Sequence, residues 1–262
     1  MSFSFALITG GSSGIGEAFA RLLPSDCGLL LTGRDAERLK ALRTELGGTR
    51  QVEILAADLA STEGRTALIE AAADLPINLL INNAGLGCFG AVAGNPAASE
   101  AEMAELNVLA PVVLTRALLP GMIARARAAR KRAGIIVTAS TAAFAPLPYL
   151  STYAATKAFD LFYAEGLAGE LAREPVDVLA LCPGLTRTRF FERARAESLP
   201  KPGLAEPEQV AREALAALGR RPVHVVGGGN QAYAALTRLV PRSLLRRGTR
   251  SYMRGRAKRA RA

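Results

Sequence analysis

Seven short apolar runs, at 3–8, 28–32, 52–55, 77–81, 134–138, 176–181 and 223–226, recur along the chain. Between them lie stretches with helical spacing at about 15–23, 35–46, 61–73, 100–122, 153–173 and 208–218. Uninterrupted apolar runs are what strands covered on both faces look like. Strands joined through helices must pair in parallel, so the alternation predicts an α/β fold: one doubly wound parallel sheet with helices on both faces. Ser61 or Thr62 is expected to cap the third helix, and Pro111 to kink the long fourth one. Neither an internal repeat nor a linker is visible. The chain reads as one catalytic-size domain, 1–237, followed by a basic extension, 238–262, with disorder expected over the last eight residues.

Composition narrows the function. Half of the 262 residues are hydrophobic, enough for a large core and too many for a disordered chain. The three cysteines, Cys27, Cys88 and Cys182, are scattered without a CxxC pair, which fits a reducing compartment. A single histidine, His224, argues against a zinc site, and no metal is expected. There is no uninterrupted apolar stretch of spanning length, and the N-terminus lacks the basic region of a signal peptide. The expectation is therefore a cytoplasmic protein. The net charge of +10 sits wholly in the tail: residues 238–262 carry ten basic and no acidic side chains, leaving the body with 23 of each sign. Nucleic-acid binding as a main role is not expected of a neutral body. Leu236, Leu239, Val240, Leu244 and Leu245 have roughly helical spacing among arginines, interrupted by Pro241. Peripheral contact with anionic lipid, cover for a subunit and mere solubility remain open for this tail. The basic stretch at 125–133 reads as a helix end or solvated loop.

The first strand opens into Thr9-Gly10-Gly11-Ser12-Ser13-Gly14-Ile15-Gly16. Glycines at such a turn let the backbone approach a pyrophosphate, and the following helix offers its unpaired N–H groups. The spacing TGxxxGxG resembles the short-chain dehydrogenase/reductase family rather than the common GxGxxG turn. Further landmarks follow in that family's order: Asn82-Asn83-Ala84-Gly85, Asn107, Ser140, Tyr153-Ala154-Ala155-Thr156-Lys157, and Pro183-Gly184 with Thr186 and Thr188. The resemblance covers roughly residues 4–230 and implies a Rossmann-like fold and hydride transfer between a nicotinamide cofactor and a carbonyl or secondary alcohol. It assigns catalysis to Asn107, Ser140, Tyr153 and Lys157. It assigns the cofactor to Thr9, Gly10, Ser12, Ser13, Gly14, Ile15, Gly16, Arg34, Asp58, Leu59, Asn83, Ala84, Gly85, Tyr153, Lys157, Pro183, Gly184, Thr186 and Thr188.

The residues support those roles on their own chemistry. Tyr153 and Lys157, at i and i+4, share a helix face. An ammonium nearby favours phenolate and is expected to lower the tyrosine pKa toward a useful range. Ser140 can hydrogen-bond a reacting carbonyl oxygen. By the resemblance, Lys157 also holds the nicotinamide ribose and Asn107 holds a water in a proton relay. The family's NAD-binding carboxylate after the second strand is here Gly33, followed by Arg34, so NADP(H) is favoured over NAD(H). Asp35 reads as a helix cap beside it, and Asp58 is either an adenine contact or a turn aspartate. Phe89, Phe144–Leu150, Phe190 and Phe191 give the expected substrate loops an apolar lining, which suits a hydrophobic ketone, aldehyde or 3-oxoacyl group. The apolar helix carrying Tyr153 predicts a homodimer or homotetramer. The competing reading is a non-catalytic NADP-binding sensor or scaffold whose basic tail attaches to a membrane or an acidic partner.

Overall fold

The computed structural model describes residues 3–194 and 203–259. In chain order its first half comprises β1 (Phe5–Thr9), α1 (Gly14–Leu22), β2 (Gly28–Gly33), α2 (Ala36–Leu46), β3 (Val52–Ala56), α3 (Thr62–Ala72), β4 (Leu79–Asn82) and α4 (Ala97–Ala104). Then follow α5 (Ala110–Ala129), β5 (Ala133–Thr138), α6 (Ser151–Glu170), β6 (Val176–Cys182), α7 (Phe190–Arg193), α8 (Pro207–Ala217), β7 (Val223–Val225), α9 (Gly228–Leu239) and α10 (Arg242–Arg259). All seven strands are parallel, in the order β3-β2-β1-β4-β5-β6-β7. The chain winds outward from β1 to β3, then returns to place β4 on the other side of β1. The crevice beyond the carboxyl ends of β1 and β4 is thus the switch point, where ligands bind in open sheets of this kind.

Alternate strand residues face opposite sides, and each side has its own core. Leu7, Leu30, Leu80 and Ile135 pack with Leu114 and Met122 of α5 and Leu161 of α6. Ile8, Leu31, Ile81 and Ile136 pack with Phe19 of α1, Leu39 of α2 and Val210 of α8. Each such side chain stabilises the fold by about 1.5–3 kcal/mol through burial. Ser61 caps α3, its hydroxyl accepting the Gly64 N–H at 2.9 Å.

Three expectations take a definite form in the structure. Near Pro111 the long fourth helix departs from α geometry: α4 runs through a wide π-helical turn, Glu105–Leu109, into α5. Pro111 has no N–H to offer the Asn107 carbonyl four residues earlier, and its ring would crowd that carbonyl in an α-helix; a widened turn relieves both. Of the two readings of the basic stretch at 125–133 the helix end holds: α5 continues to Ala129 and ends on Arg130 in the left-handed region (φ 51°), while Arg125 Nη2 donates to the Ile77 carbonyl at 2.7 Å. The tail boundary at 237/238 falls inside α9, and residues 255–259, expected to be disordered, belong to α10; residues 260–262 lie outside the described residues. Among the described residues, the helical run 97–129 is long and apolar enough to cross a membrane, but its buried side chains Met103, Leu114, Leu118 and Met122 pack inside the protein.

Candidate active site

Thr9 joins the two sides of the switch point. Its hydroxyl accepts the N–H groups of Asn83 and Ala84, both at 2.9 Å, while Asn83 Nδ2 donates to the Thr9 carbonyl at 3.1 Å. The glycine turn therefore sits directly on Asn83-Ala84-Gly85. Glycine is obligatory at two of its positions. A Cβ on Gly16 would lie 2.2 Å from the Gly10 carbonyl oxygen, and Gly14 has φ +59° with a Cβ position 2.8 Å from Thr188. Ser13 precedes α1 without capping it through its side chain, so the first-turn N–H groups and the Ser13 hydroxyl remain available to an anion. An open cleft of about 420 Å³ borders this turn, lined by Ser13, Gly14, Arg38, Thr188 and Arg189 among others. Ile15 packs against the core beside the turn. The cradle fits a dinucleotide pyrophosphate.

At the end of β2, the Cβ position of Gly33 lies 2.9 Å from the Ser12 hydroxyl oxygen, so Ser12 and Arg34 flank the same corner. Arg34 pairs with Glu102 at 2.7 Å. Asp35 caps α2 by accepting the Arg38 N–H at 3.2 Å and faces Arg189 at 3.5 Å. Its carboxylate is thus already met by two donors. Arg38, which the sequence reading passed over, donates from Nε to the Ser12 carbonyl at 2.9 Å. It stands in the first turn of α2, two residues after that helix begins, while Arg34 precedes the Asp35 cap. Asp58 behaves as a turn aspartate, accepting the Ala60 N–H at 3.0 Å. Leu59 is buried in the core with Leu68 and Leu106 rather than standing in the cleft. Thr186 is buried and donates to the Gly184 carbonyl at 3.2 Å; Pro183 accepts the Thr141 N–H through its carbonyl at 2.9 Å. These two brace the loop, while Thr188 reaches the glycine turn.

Tyr153, Lys157, Ser140 and Asn107 do converge. Ser140, after β5, accepts the Ala142 N–H at 3.1 Å and hydrogen-bonds Tyr153. Lys157 Nζ, buried, donates to the Thr138 carbonyl at 2.8 Å and to Asp160 at 2.9 Å. A Cβ on Gly85 would lie 3.4 Å from Lys157 Nζ and 3.3 Å from Asn107 Oδ1, so the absence of a side chain there keeps both within reach of a bound molecule. The Asn107 amide braces the loop after β4: Oδ1 accepts the Leu86 N–H, and Nδ2 donates to the Leu86 carbonyl and the Thr156 hydroxyl, all at 2.9 Å.

The expected lowering of the Tyr153 pKa is not what the surroundings give. Burial disfavours the phenolate most; Lys157 and the Ser140 hydrogen bond pull the other way, Asp160 pushes with burial, and the phenol ends above its ordinary value of 10. The spacing of Tyr153 and Lys157 revealed the ammonium but neither the burial nor the opposing carboxylate.

Around Tyr153 the loops after β4, β5 and β6 form an apolar cluster of Phe89, Leu150, Phe191, Ala194 and Met253, with Leu147, Tyr149 and Phe190 against it. The Phe190 ring lies on Tyr153, centroids 5.2 Å apart. Tyr149 takes φ 68°, a region that costs a non-glycine residue about 1–3 kcal/mol, and its carbonyl is held by the Gly90 N–H at 2.9 Å. Met253 arrives from α10, whose Thr249 hydroxyl donates to the Pro146 carbonyl at 3.0 Å. The tail therefore roofs the apolar cluster. Nothing local in the sequence marks Met253, a hundred residues beyond Tyr153.

Residues 4–199 match the short chain dehydrogenase family. The chain belongs to that family of oxidoreductases. It is 31% identical over 242 residues to a very-long-chain 3-oxoacyl-CoA reductase of Eremothecium gossypii, covering 89% of this chain and 66% of that longer protein. A short-chain dehydrogenase from Sphingobium yanoikuyae in complex with NADPH has a similar structure, with 31% identity, TM-score 0.77 and coverage of 90% and 93%. A 3-ketoacyl-(acyl-carrier-protein) reductase from Brucella melitensis complexed with NADH is also similar, with 28% identity, TM-score 0.75 and coverage of 87% and 98%.

Proposed function

We propose that this chain reduces the carbonyl of a hydrophobic ketone, aldehyde or 3-oxoacyl substrate with NADPH, using Tyr153 as general acid. The observation that carries this reading is the meeting of Tyr153, Ser140 and Lys157 beneath an apolar cluster, next to a glycine cradle that fits a pyrophosphate. When bound, the nicotinamide supplies the hydride. The chain itself does the rest. Ser140 accepts the Ala142 N–H and meets Tyr153, and its one O–H turns to a substrate oxygen that binds between the two hydroxyls. The high proton affinity of half-buried Tyr153 suits an acid that must arrive protonated and give its proton up only to a developing alkoxide. Lys157 holds the ribose with the N–H left over from Thr138 and Asp160. A relay water would rest on the Asn107 backbone carbonyl, which Pro111 cannot engage with an N–H, the side-chain Nδ2 being used by the Leu86 carbonyl and the Thr156 hydroxyl.

Arg34 favours a 2′-phosphate, because the carboxylates beside it are already engaged, Asp35 by the Arg38 N–H and Arg189 and Glu102 by Arg34 itself. The test follows cofactor absorbance with NADPH and NADH against apolar ketones, aldehydes and 3-oxoacyl thioesters, with Tyr153→Phe as control. NADPH-selective, Tyr153-dependent turnover is expected. Tight NADPH binding without turnover across the panel would favour the sensor reading.

Two surfaces extend the proposal. Phe162, 71% exposed on α6, with Phe159 beside it, suits a second copy of the chain, giving a homodimer or homotetramer. Leu236 and Leu239 of α9 and Leu244 of α10 are 58%, 82% and 56% exposed among the arginines of a segment without acids, which suits peripheral contact with an anionic bilayer. Cosedimentation with anionic vesicles, lost on Leu236→Ser/Leu239→Ser, tests the second surface.

A further inference from the structure

Asp160 is a buried acid that the proposed chemistry does not use. It is 1% exposed, one helical turn after Lys157 on α6, with Oδ2 2.9 Å from Lys157 Nζ and Oδ1 without any hydrogen-bond partner. A carboxylate costs several kcal/mol to bury, and an unsatisfied oxygen adds to that cost. The pair sits beneath the tyrosine that would move the proton, where each charge acts through little water.

We propose that Asp160 is a positioning residue: its carboxylate anchors the Lys157 ammonium and offsets that charge at Tyr153. The inference rests on the proposed role of Tyr153. Two Lys157 N–H groups are fixed by Asp160 and the Thr138 carbonyl, so the third has one direction left, beside Gly85. The ammonium is held in place and held protonated. Tyr153 and Lys157 then lose protons as a coupled pair, and the negative charge of Asp160 makes the first proton harder to remove. The other groups facing the pair are the Ser140 hydroxyl after β5 and the Cys182 thiol of β6, the latter pushed up to about 12 by burial and therefore uncharged. Glu165 of α6 acts on that thiol from farther along the helix. Asp160 is thus the one carboxylate in contact with Lys157 among the described residues.

The test replaces Asp160 by Asn, which keeps the shape and removes the charge. Tyrosinate absorbance is titrated with and without Tyr153→Phe, a clean difference in a chain with five tyrosines and no tryptophan. The pH profile of kcat/KM in the alcohol-oxidising direction is measured in parallel. Both transitions are expected to move down by about one pH unit in Asp160→Asn, with little change in Asp160→Glu. Superimposable titrations of wild type and Asp160→Asn, or an upward move, overturn the proposal, because a purely structural role would change amplitude and not position. Asp160→Ser is read in the same way if the asparagine variant does not fold. If neither folds, wild type decides: a Tyr153 transition below about pH 9 means that Lys157 acts unopposed. The absorbance titration needs no substrate, so a failed assay of wild type would count against the proposed reaction and leave this inference to be judged separately.

Discussion

Arg34→Ala separates the two nicotinamide cofactors. The Arg34 side chain is 52% exposed and its partner Glu102 34% exposed, so the free protein loses only an exposed ion pair worth at most about 1 kcal/mol. The melting temperature should barely move. In the complex with NADPH the guanidinium would meet the 2′-phosphate, and a charge-assisted hydrogen bond contributes about 1.5–3 kcal/mol. Breaking the Glu102 contact on binding takes a part of that back. The expected loss of NADPH affinity is therefore about tenfold to a hundredfold, with NADH affinity changed less than about twofold. Cofactor fluorescence titration reads both, without interference from tryptophan, of which there is none. Arg38→Ala is the contrasting variant: Arg38 braces the Ser12 carbonyl, so both cofactors should weaken. Equal losses for the two cofactors in Arg34→Ala, or no loss in either, would refute Arg34 as the residue that reads the 2′-phosphate.

Other outcomes follow from the same structure. Tyr153→Phe should lower turnover by at least about a hundredfold while leaving the NADPH dissociation constant within about twofold; parallel loss of both would show that Tyr153 serves binding. Gly16→Ala forces a methyl to within 2.2 Å of the Gly10 carbonyl oxygen, so cofactor binding should disappear and stability fall by about 1–3 kcal/mol, seen in calorimetry; an unchanged melting curve would contradict the close approach. Met253→Ala opens the roof of the apolar cluster, where Met253 is 4% exposed, and should raise KM for apolar carbonyls without altering NADPH affinity. Burial alone would raise the Glu213 pKa, but hydrogen bonds from Gln209 and His224 outweigh it and hold the carboxyl below its ordinary 4.5. That contribution is present above about pH 4.5 and fades as pH falls through the lower folded value, so Glu213→Gln should flatten the acid limb of stability; an identical acid limb would show the carboxylate to be idle.

The sequence determined the layers and the place of the site. Seven apolar runs separated by helical spacing admit few solutions other than a parallel sheet wound on both sides, because strands without a polar face must be covered twice. It also carried the family's landmarks: TGxxxGxG, Asn83-Ala84-Gly85, Ser140 and Tyr153 with Lys157 stand in the family's order. What lay beyond it are contacts between segments far apart in the chain. Met253 reaches Phe89 and Leu150 only because α10 folds back over the loop that follows β5. The motif does not show that the Leu59 side chain packs in the core or that Asp58 accepts a turn N–H, since burial and local hydrogen bonds are settled by what packs around them. Pro111 follows a wide turn at Asn107, where the loop after β4 takes up the Asn107 amide, and only the folded chain shows the two together. The proton affinity of Tyr153 was decided last: spacing reveals which charge stands near it, but the desolvation that outweighs that charge exists only once the protein has closed around the phenol.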